Sequence, residues 1–175
     1  MYGSCPCTPR RENAYNGRGA IFVKAMSFPL TPLQMTCLPI VRGLVADKPW
    51  LLPSWVFGIV TAESGWDPAV KAGDFATTGS IGLMQVERST AIDRGFAGTD
   101  QTDPAVSLAT GIADLMWIRG EFIKAWVDQK IYSPAMHPVI SAYNVGAAGY
   151  LMGRRNDDYW IKVSAHRQRF LFIDS

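Results

Sequence analysis

From Thr31 onward, apolar residues return every three or four positions, the spacing of helices with one buried face. Strand-type alternation is scarce. Thr31 followed by Pro32 gives an N-cap and a first-turn proline. Leu33, Cys37, Leu38, Val41, Leu44 and Val45 then trace a first helix, which ends near Asp47-Lys48-Pro49. Pro53 opens a second helix. Trp55, Val56, Phe57, Ile59, Val60 and Ala62 cover almost its whole circumference, which predicts burial on all sides. Gly65 can take the left-handed conformation that closes it. Residues 66–81 read as an irregular loop, followed by a short helix from Leu83 to about Gly95. Asp103-Pro104 starts the longest helix, to about Val127, with Ala105, Leu108, Ile112, Leu115, Met116, Phe122, Ile123 and Trp126 as its stripe. A helix beginning at Pro138 stops near Gly146, and a short segment covers 147–152. A last helix runs from Asp158 to about Phe172, with Arg167 and Arg169 late enough to suit the helix dipole.

Residues 1–28 break this pattern. They are rich in Gly, Pro, Arg and Asn and carry no periodicity, apart from a short strand signal at Ala20-Ile21-Phe22-Val23. The expected organisation is an extended or flexible N-terminal arm over 1–28, with one mainly α domain over 29–175. A chain of 175 residues suits one core. At 48% hydrophobic and 18% charged it has the balance of a folded domain. The net charge of +2 gives nucleic-acid binding no support. No apolar run reaches the ~18 residues of a membrane span. Three cysteines, Cys5, Cys7 and Cys37, with only His137 and His166 to help, make a poor metal set, and no cofactor is expected. Cys5 or Cys7 could pair with Cys37; free thiols are the other reading.

One residue disagrees with its surroundings. Glu63 shares a face with Trp55 and Ile59 at the end of the most apolar helix. Burial among aromatics and the negative end of a helix both disfavour a carboxylate anion. No Lys or Arg stands within helical reach of it. An acid kept protonated near neutrality is the group that cutting a glycosidic bond requires, because the leaving oxygen must be protonated. Position alone leaves a plainer reading open: a helix-end Glu facing solvent or capping a loop. Two further stretches bear on the choice. In Gly82-Leu83-Met84-Gln85-Val86, the Gln85 amide can pair with a sugar hydroxyl or acetamido group, and Met84 can offer an apolar wall. In Ala142-Tyr143-Asn144-Val145-Gly146, Tyr143 can bring a phenol to Glu63; Asn144 can equally cap its helix.

The sequence Glu-Ser-x-Trp-Asp-Pro, then Gly-Leu-Met-Gln, then Ala-Tyr-Asn-x-Gly, in that order, resembles the soluble lytic transglycosylase domain from about Leu38 to Leu171. The resemblance implies a lysozyme-like helical fold, of goose-type or transglycosylase kind, with a substrate cleft. It implies peptidoglycan glycan strands as partner, cut between N-acetylmuramic acid and N-acetylglucosamine. Glu63 matches the family's essential carboxylate, which protonates the glycosidic oxygen and then takes the proton of the muramic 6-hydroxyl, giving a 1,6-anhydro sugar. Ser64, Met84, Gln85, Tyr143 and Asn144 are implied substrate contacts, with Tyr143 matching a tyrosine that orients the acid.

The chain also departs from that pattern. The segment from Val70 to Gly82 is longer, and Ala72 or Gly73 stands where many members have Ser; Thr77, Thr78 or Ser80 are the candidate replacements. Val86-Glu87 replaces an apolar run. These features suit goose-type lysozyme as a second reading, with Asp74 as a candidate second acid that positions a hydrolytic water. A third reading is a structural virion component that retains the fold. The N-terminus lacks a signal-peptide layout. The expected setting is therefore a phage virion acting in the host periplasm, with the arm docking on other virion or secretion-machine subunits. The alternative is a bacterial periplasmic or secreted enzyme.

Overall fold

The computed structural model describes residues 29–73, 79–127 and 136–175, with the backbone alone for 126 and 127. The arm, its strand signal, Cys5, Cys7, Asp74, Thr77 and Thr78 lie outside the described residues. Among the described residues, seven helices and a small sheet follow in the order α1 (Pro32–Val45), α2 (Pro53–Glu63), β1 (Lys71–Ala72), β2 (Ser80–Ile81), β3 (Val86–Glu87), α3 (Arg88–Asp93), α4 (Pro104–Val127), α5 (Met136–Val145), α6 (Ala147–Leu151) and α7 (Asp157–Gln168). A 3-10 turn at Leu171–Ile173 follows α7.

The starts of α1, α2 and α4 are where the caps and prolines placed them, while α5 begins at Met136, two residues before the expected Pro138. Thr31 and Gln34 form a reciprocal capping box on α1. The Asp103 carboxylate accepts from the backbone N–H groups of Ala105 and Val106 at 2.7 and 3.2 Å, starting α4. Two further boundaries differ from the expectation. The Leu83–Gly95 stretch is a turn, then β3, then a six-residue α3. α7 stops at Gln168, four residues before the expected end, and the chain tightens into the 3-10 turn.

The sheet was not anticipated. Its strands are two residues each, in antiparallel order β1-β2-β3, with Ala72 opposite Ser80 and Ile81 opposite Val86. Strands this short show no alternation, so residues 66–81 carried no strand signal.

α2 is the buried centre. Val56, Phe57, Ile59 and Val60 are fully buried, as expected from an apolar circumference. Its N-cap residue, Leu52, provides no side-chain acceptor. The missing cap comes from the far end of the chain: Asp174 accepts from the Ser54 backbone N–H at 2.8 Å and from the Ser54 hydroxyl at 2.6 Å. A carboxylate there also suits the positive end of the helix. α7 crosses α2 at Gly58, where a Cβ would stand 2.9 Å from the Val163 carbonyl oxygen and 3.2 Å from the Arg167 nitrogen. The bare glycine lets the two backbones touch, and this contact decides what α7 presents to the end of α2. Cys37 is fully buried in the core on α1. Among the described residues, no helix is long and apolar enough to cross a membrane.

Candidate active site

α2 ends at Glu63. The Ser64 N–H donates to the Val60 carbonyl, and Gly65 and Trp66 then take positive φ angles of 61° and 73°. The left-handed region is costly for tryptophan. Here it is held by the Trp66 indole N–H donating to Thr61 Oγ1 at 2.9 Å and by its ring packing edge-on against Phe57. The chain therefore turns sharply after Glu63 and leaves that side chain half-buried, lining a cavity of about 670 Å³.

Burial pushes the Glu63 carboxyl above the usual carboxylate range, against two opposing influences, the Tyr159 hydroxyl and the Lys162 charge. Tyr159, on α7, donates its hydroxyl to Glu63 Oε1 in a very short hydrogen bond. Lys162 lies one turn further along α7, and its ammonium donates to the Ala62 carbonyl at 2.7 Å. The expectation that no cation stands near Glu63 holds along α2, but α7 brings one. Burial first, then the nearby Glu63 charge, raise Tyr159 and Tyr143 well above the ordinary tyrosine value. Both phenols thus remain donors throughout the neutral range.

The Gly82–Gln85 turn forms the floor beside the acid. Three hydroxyls from three helical segments hold its backbone. Ser64 donates to the Leu83 carbonyl at 3.0 Å, Ser107 of α4 accepts from the Met84 N–H at 3.1 Å, and Tyr143 of α5 donates to the Met84 carbonyl at 2.7 Å. Gly82, at φ 89°, sits so close to α4's approach that a Cβ would lie 2.0 Å from the Gln101 carbonyl oxygen. Gln85, at φ 51°, is, like Trp66, a non-glycine residue in the left-handed region. Its amide donates to the Val70 and Gly82 carbonyls at 2.9 and 2.8 Å and accepts from the Ser80 hydroxyl at 3.0 Å. Such strain persists where the surroundings over-determine the conformation, as they do here.

This geometry redistributes the roles expected of the site residues. Glu63, Gln85, Tyr143 and Asn144 all line the cavity. Ser64 and Met84 do not: Ser64 is buried with its hydroxyl bonded to the turn, and Met84 is fully buried with its side chain against Gly111 of α4. The Met84 wall therefore faces the core, because Gly111 leaves a slot there for its side chain. The Tyr143 hydroxyl meets the Met84 carbonyl, and it is Tyr159 that meets Glu63. The Gln85 amide has both donors committed inside its own loop, which leaves the exposed side of Oε1 for a ligand. Asn144 accepts from the Asn156 amide at 2.6 Å, which links the end of α5 to the start of α7. Ser80, a candidate replacement for a family serine, lines the cavity beside Gln85. Asp74 lies outside the described residues.

Tyr159 and Lys162 were missed by sequence reasoning. The available signal was weak: Asn156 as N-cap, with Tyr159 and Val163 sharing one face of α7 four residues apart. Nothing along the chain tied that face to Glu63, 96 residues earlier.

A mainly helical domain that places a half-buried acid at the end of its central helix, over a cavity floored by a short antiparallel sheet, is of the lysozyme-like class. The family model of the transglycosylase SLT domain matches residues 45–164, from the end of α1 into α7, and the chain belongs to this family. The match takes in Glu63, Gln85, Tyr143 and Tyr159. Membership supports peptidoglycan as substrate and cleavage of the lytic-transglycosylase type. A comparison with curated proteins finds no match.

Proposed function

We propose that this protein is a lytic transglycosylase that cuts the bond between N-acetylmuramic acid and N-acetylglucosamine, with Glu63 acting alone as acid and then base. The observation that carries the reading is the state of Glu63: a carboxyl with raised proton affinity, facing a cavity, with one oxygen held by Tyr159. Among the described residues Oε2 has no hydrogen-bond partner, so it is the oxygen left for substrate. Protonated Glu63 gives its proton to the glycosidic oxygen, and the bond from that oxygen to the muramic anomeric carbon breaks. The resulting carboxylate, stabilised by the Tyr159 hydroxyl and the Lys162 charge, takes the proton of the muramic 6-hydroxyl. That oxygen closes on the anomeric carbon. Glu63 regains its proton and no water is consumed. Gln85, Tyr143 and Asn144 are the proposed cavity contacts to the strand.

Mass spectrometry of products from purified peptidoglycan tests the assignment. Anhydro-muropeptides are expected. Reducing-end muropeptides would instead mark a goose-type hydrolase with a water-positioning acid. Replacement of Glu63 by Gln is expected to abolish wall clearing with the circular dichroism spectrum unchanged; clearing by that variant would remove Glu63 from the acid role, whereas no clearing by the wild-type protein would favour a non-catalytic virion component.

For the setting, we propose a phage virion enzyme that opens the wall locally during genome entry, with residues 1–28 docking on neighbouring virion subunits. The Gly-, Pro- and Arg-rich composition of that arm motivates the idea. Proteomics of isolated virions checks it, and virions that lack the protein would count against it.

A further inference from the structure

The cavity has a second wall that the proposed proton transfers leave unused. It forms where α3 ends against α4. Arg94, the C-cap residue of α3, donates its Nε–H to Asp114 Oδ1 at 2.9 Å. Its guanidinium carbon also lies 3.9 Å from the centroid of the Trp117 ring. Asp114 and Trp117 are three residues apart on α4, so both face α3. The side chains of Arg94 and Asp114 are each only 12% exposed, yet Trp117 is 42% exposed. All three line the same cavity as Glu63.

Stability alone accounts poorly for this arrangement. A largely buried ion pair loses hydration that its mutual attraction barely offsets, and apolar residues of similar size usually serve a core as well. The exposed part of Trp117 faces the cavity that Glu63 lines. What the cluster does provide is a fixed aromatic surface: Asp114 locks Arg94, and Arg94 lies over one face of the indole, which sets the ring's plane. Among the described residues, Asp114 Oδ2 and the terminal guanidinium nitrogens of Arg94 have no hydrogen-bond partner. The Arg94–Asp114 charges cancel each other, and Glu87 and Asp93 also line the cavity, so the wall does not favour an anion.

We propose that Arg94, Asp114 and Trp117 form a sugar-binding subsite, with Trp117 stacking on a pyranose ring of the glycan strand and the Asp114–Arg94 pair hydrogen-bonding its hydroxyl or acetamido groups. A pyranose has an apolar C–H face and a polar rim, and the cluster offers an aromatic face beside donors and an acceptor. Tyr143 feels the charges of both Glu63 and Asp114, so the subsite is continuous with the acid's side of the cavity. A strand seated on this wall extends toward Glu63. The subsite rests on the glycan-cleaving reading and adds to it the place where an uncut ring is gripped.

Binding is measured by calorimetry with peptide-free peptidoglycan strands, in the Glu63→Gln background so that the strand stays intact. Trp117→Ala is expected to weaken binding about tenfold, in line with truncation of an aromatic anchor that the ligand covers. Trp117→Phe, which keeps an aromatic face, should stay within about threefold of the starting protein. In the cleaving enzyme, Trp117→Ala should act mainly through KM. Unchanged affinity in Trp117→Ala overturns the subsite alone and leaves the role of Glu63 intact. Equal losses in Trp117→Ala and Trp117→Phe, accompanied by a lower melting temperature, also overturn it, since both would then be structural. If the Glu63→Gln protein binds no strand at all, the glycan-cleaving reading fails together with the subsite.

Discussion

Replacing Tyr159 by Phe removes one oxygen from the protein and one hydrogen bond from Glu63. The ring remains to fill its buried place between α7 and α2. A hydrogen bond to a charged group contributes ~1.5–3 kcal/mol. Losing it withdraws that support chiefly from the ionised carboxylate, the form that accepts the 6-hydroxyl proton in the second half of the proposed reaction. If the full amount is lost at the transition state, the rate falls about 10- to 150-fold. The pH profile should move as well. The Tyr159 hydroxyl pulls the Glu63 carboxyl down from the level burial alone would set. Without it the carboxyl holds its proton to higher pH, so the alkaline limb of the activity profile shifts upward. Clearing of purified peptidoglycan, followed by turbidity across a pH series, reads both effects. A Tyr159→Phe enzyme with wild-type rate and an unmoved alkaline limb would refute the coupling between α7 and the acid.

Three further outcomes follow from the same contacts. Glu63→Gln should raise the melting temperature at pH 7 relative to wild type. Burial raises the folded-state pKa of Glu63 above its unfolded value, so its stability contribution is present below the unfolded pKa and is lost as pH rises through the folded one. The difference should therefore vanish in acid, and thermal melts at pH 7 and below pH ~4 check the sign. Gly58→Ala places a methyl 2.9 Å from the Val163 carbonyl oxygen. Overpacking of ~1–3 kcal/mol, partly offset by ~1 kcal/mol of helix propensity, leaves a net cost of ~1 kcal/mol at the middle of that range, which should lower the melting temperature by about 2–4 °C. Gly58→Val should lower it further, and both should lose activity as α7 is pushed from Glu63. Lys162→Met removes a cation whose charge lowers the Glu63 carboxyl, so the alkaline limb should rise slightly, by less in high salt; a limb that moves downward would contradict the assigned sign.

Local chemistry was legible along the chain wherever one segment decided it. Thr31 with Pro32 and Asp103 with Pro104 start their helices with groups a few residues away. The apolar circumference of α2 marked it as the buried centre, because a helix without a polar face has nowhere else to go. The placement of Glu63 at its end left an acid and a plain helix-end residue both open, and the ordered motifs chose between them and marked the family.

What only the tertiary structure decided are the pairings between segments. Nothing along the chain sets Gly58 apart within α2, yet it is the crossing that brings Tyr159 and Lys162 to Glu63. Gln85 and Met84 read as two ligand contacts, yet the turn between β2 and β3 aims one at the cavity and the other at the slot beside Gly111. Arg94, Asp114 and Trp117 carried no signal, because their meaning depends on α3 ending against α4. Composition and spacing state which side chains are available and which local geometry they favour. Which hydroxyl reaches which carboxylate is set by the close packing of helices far apart in sequence, where shifts of a few tenths of an ångström decide the partner.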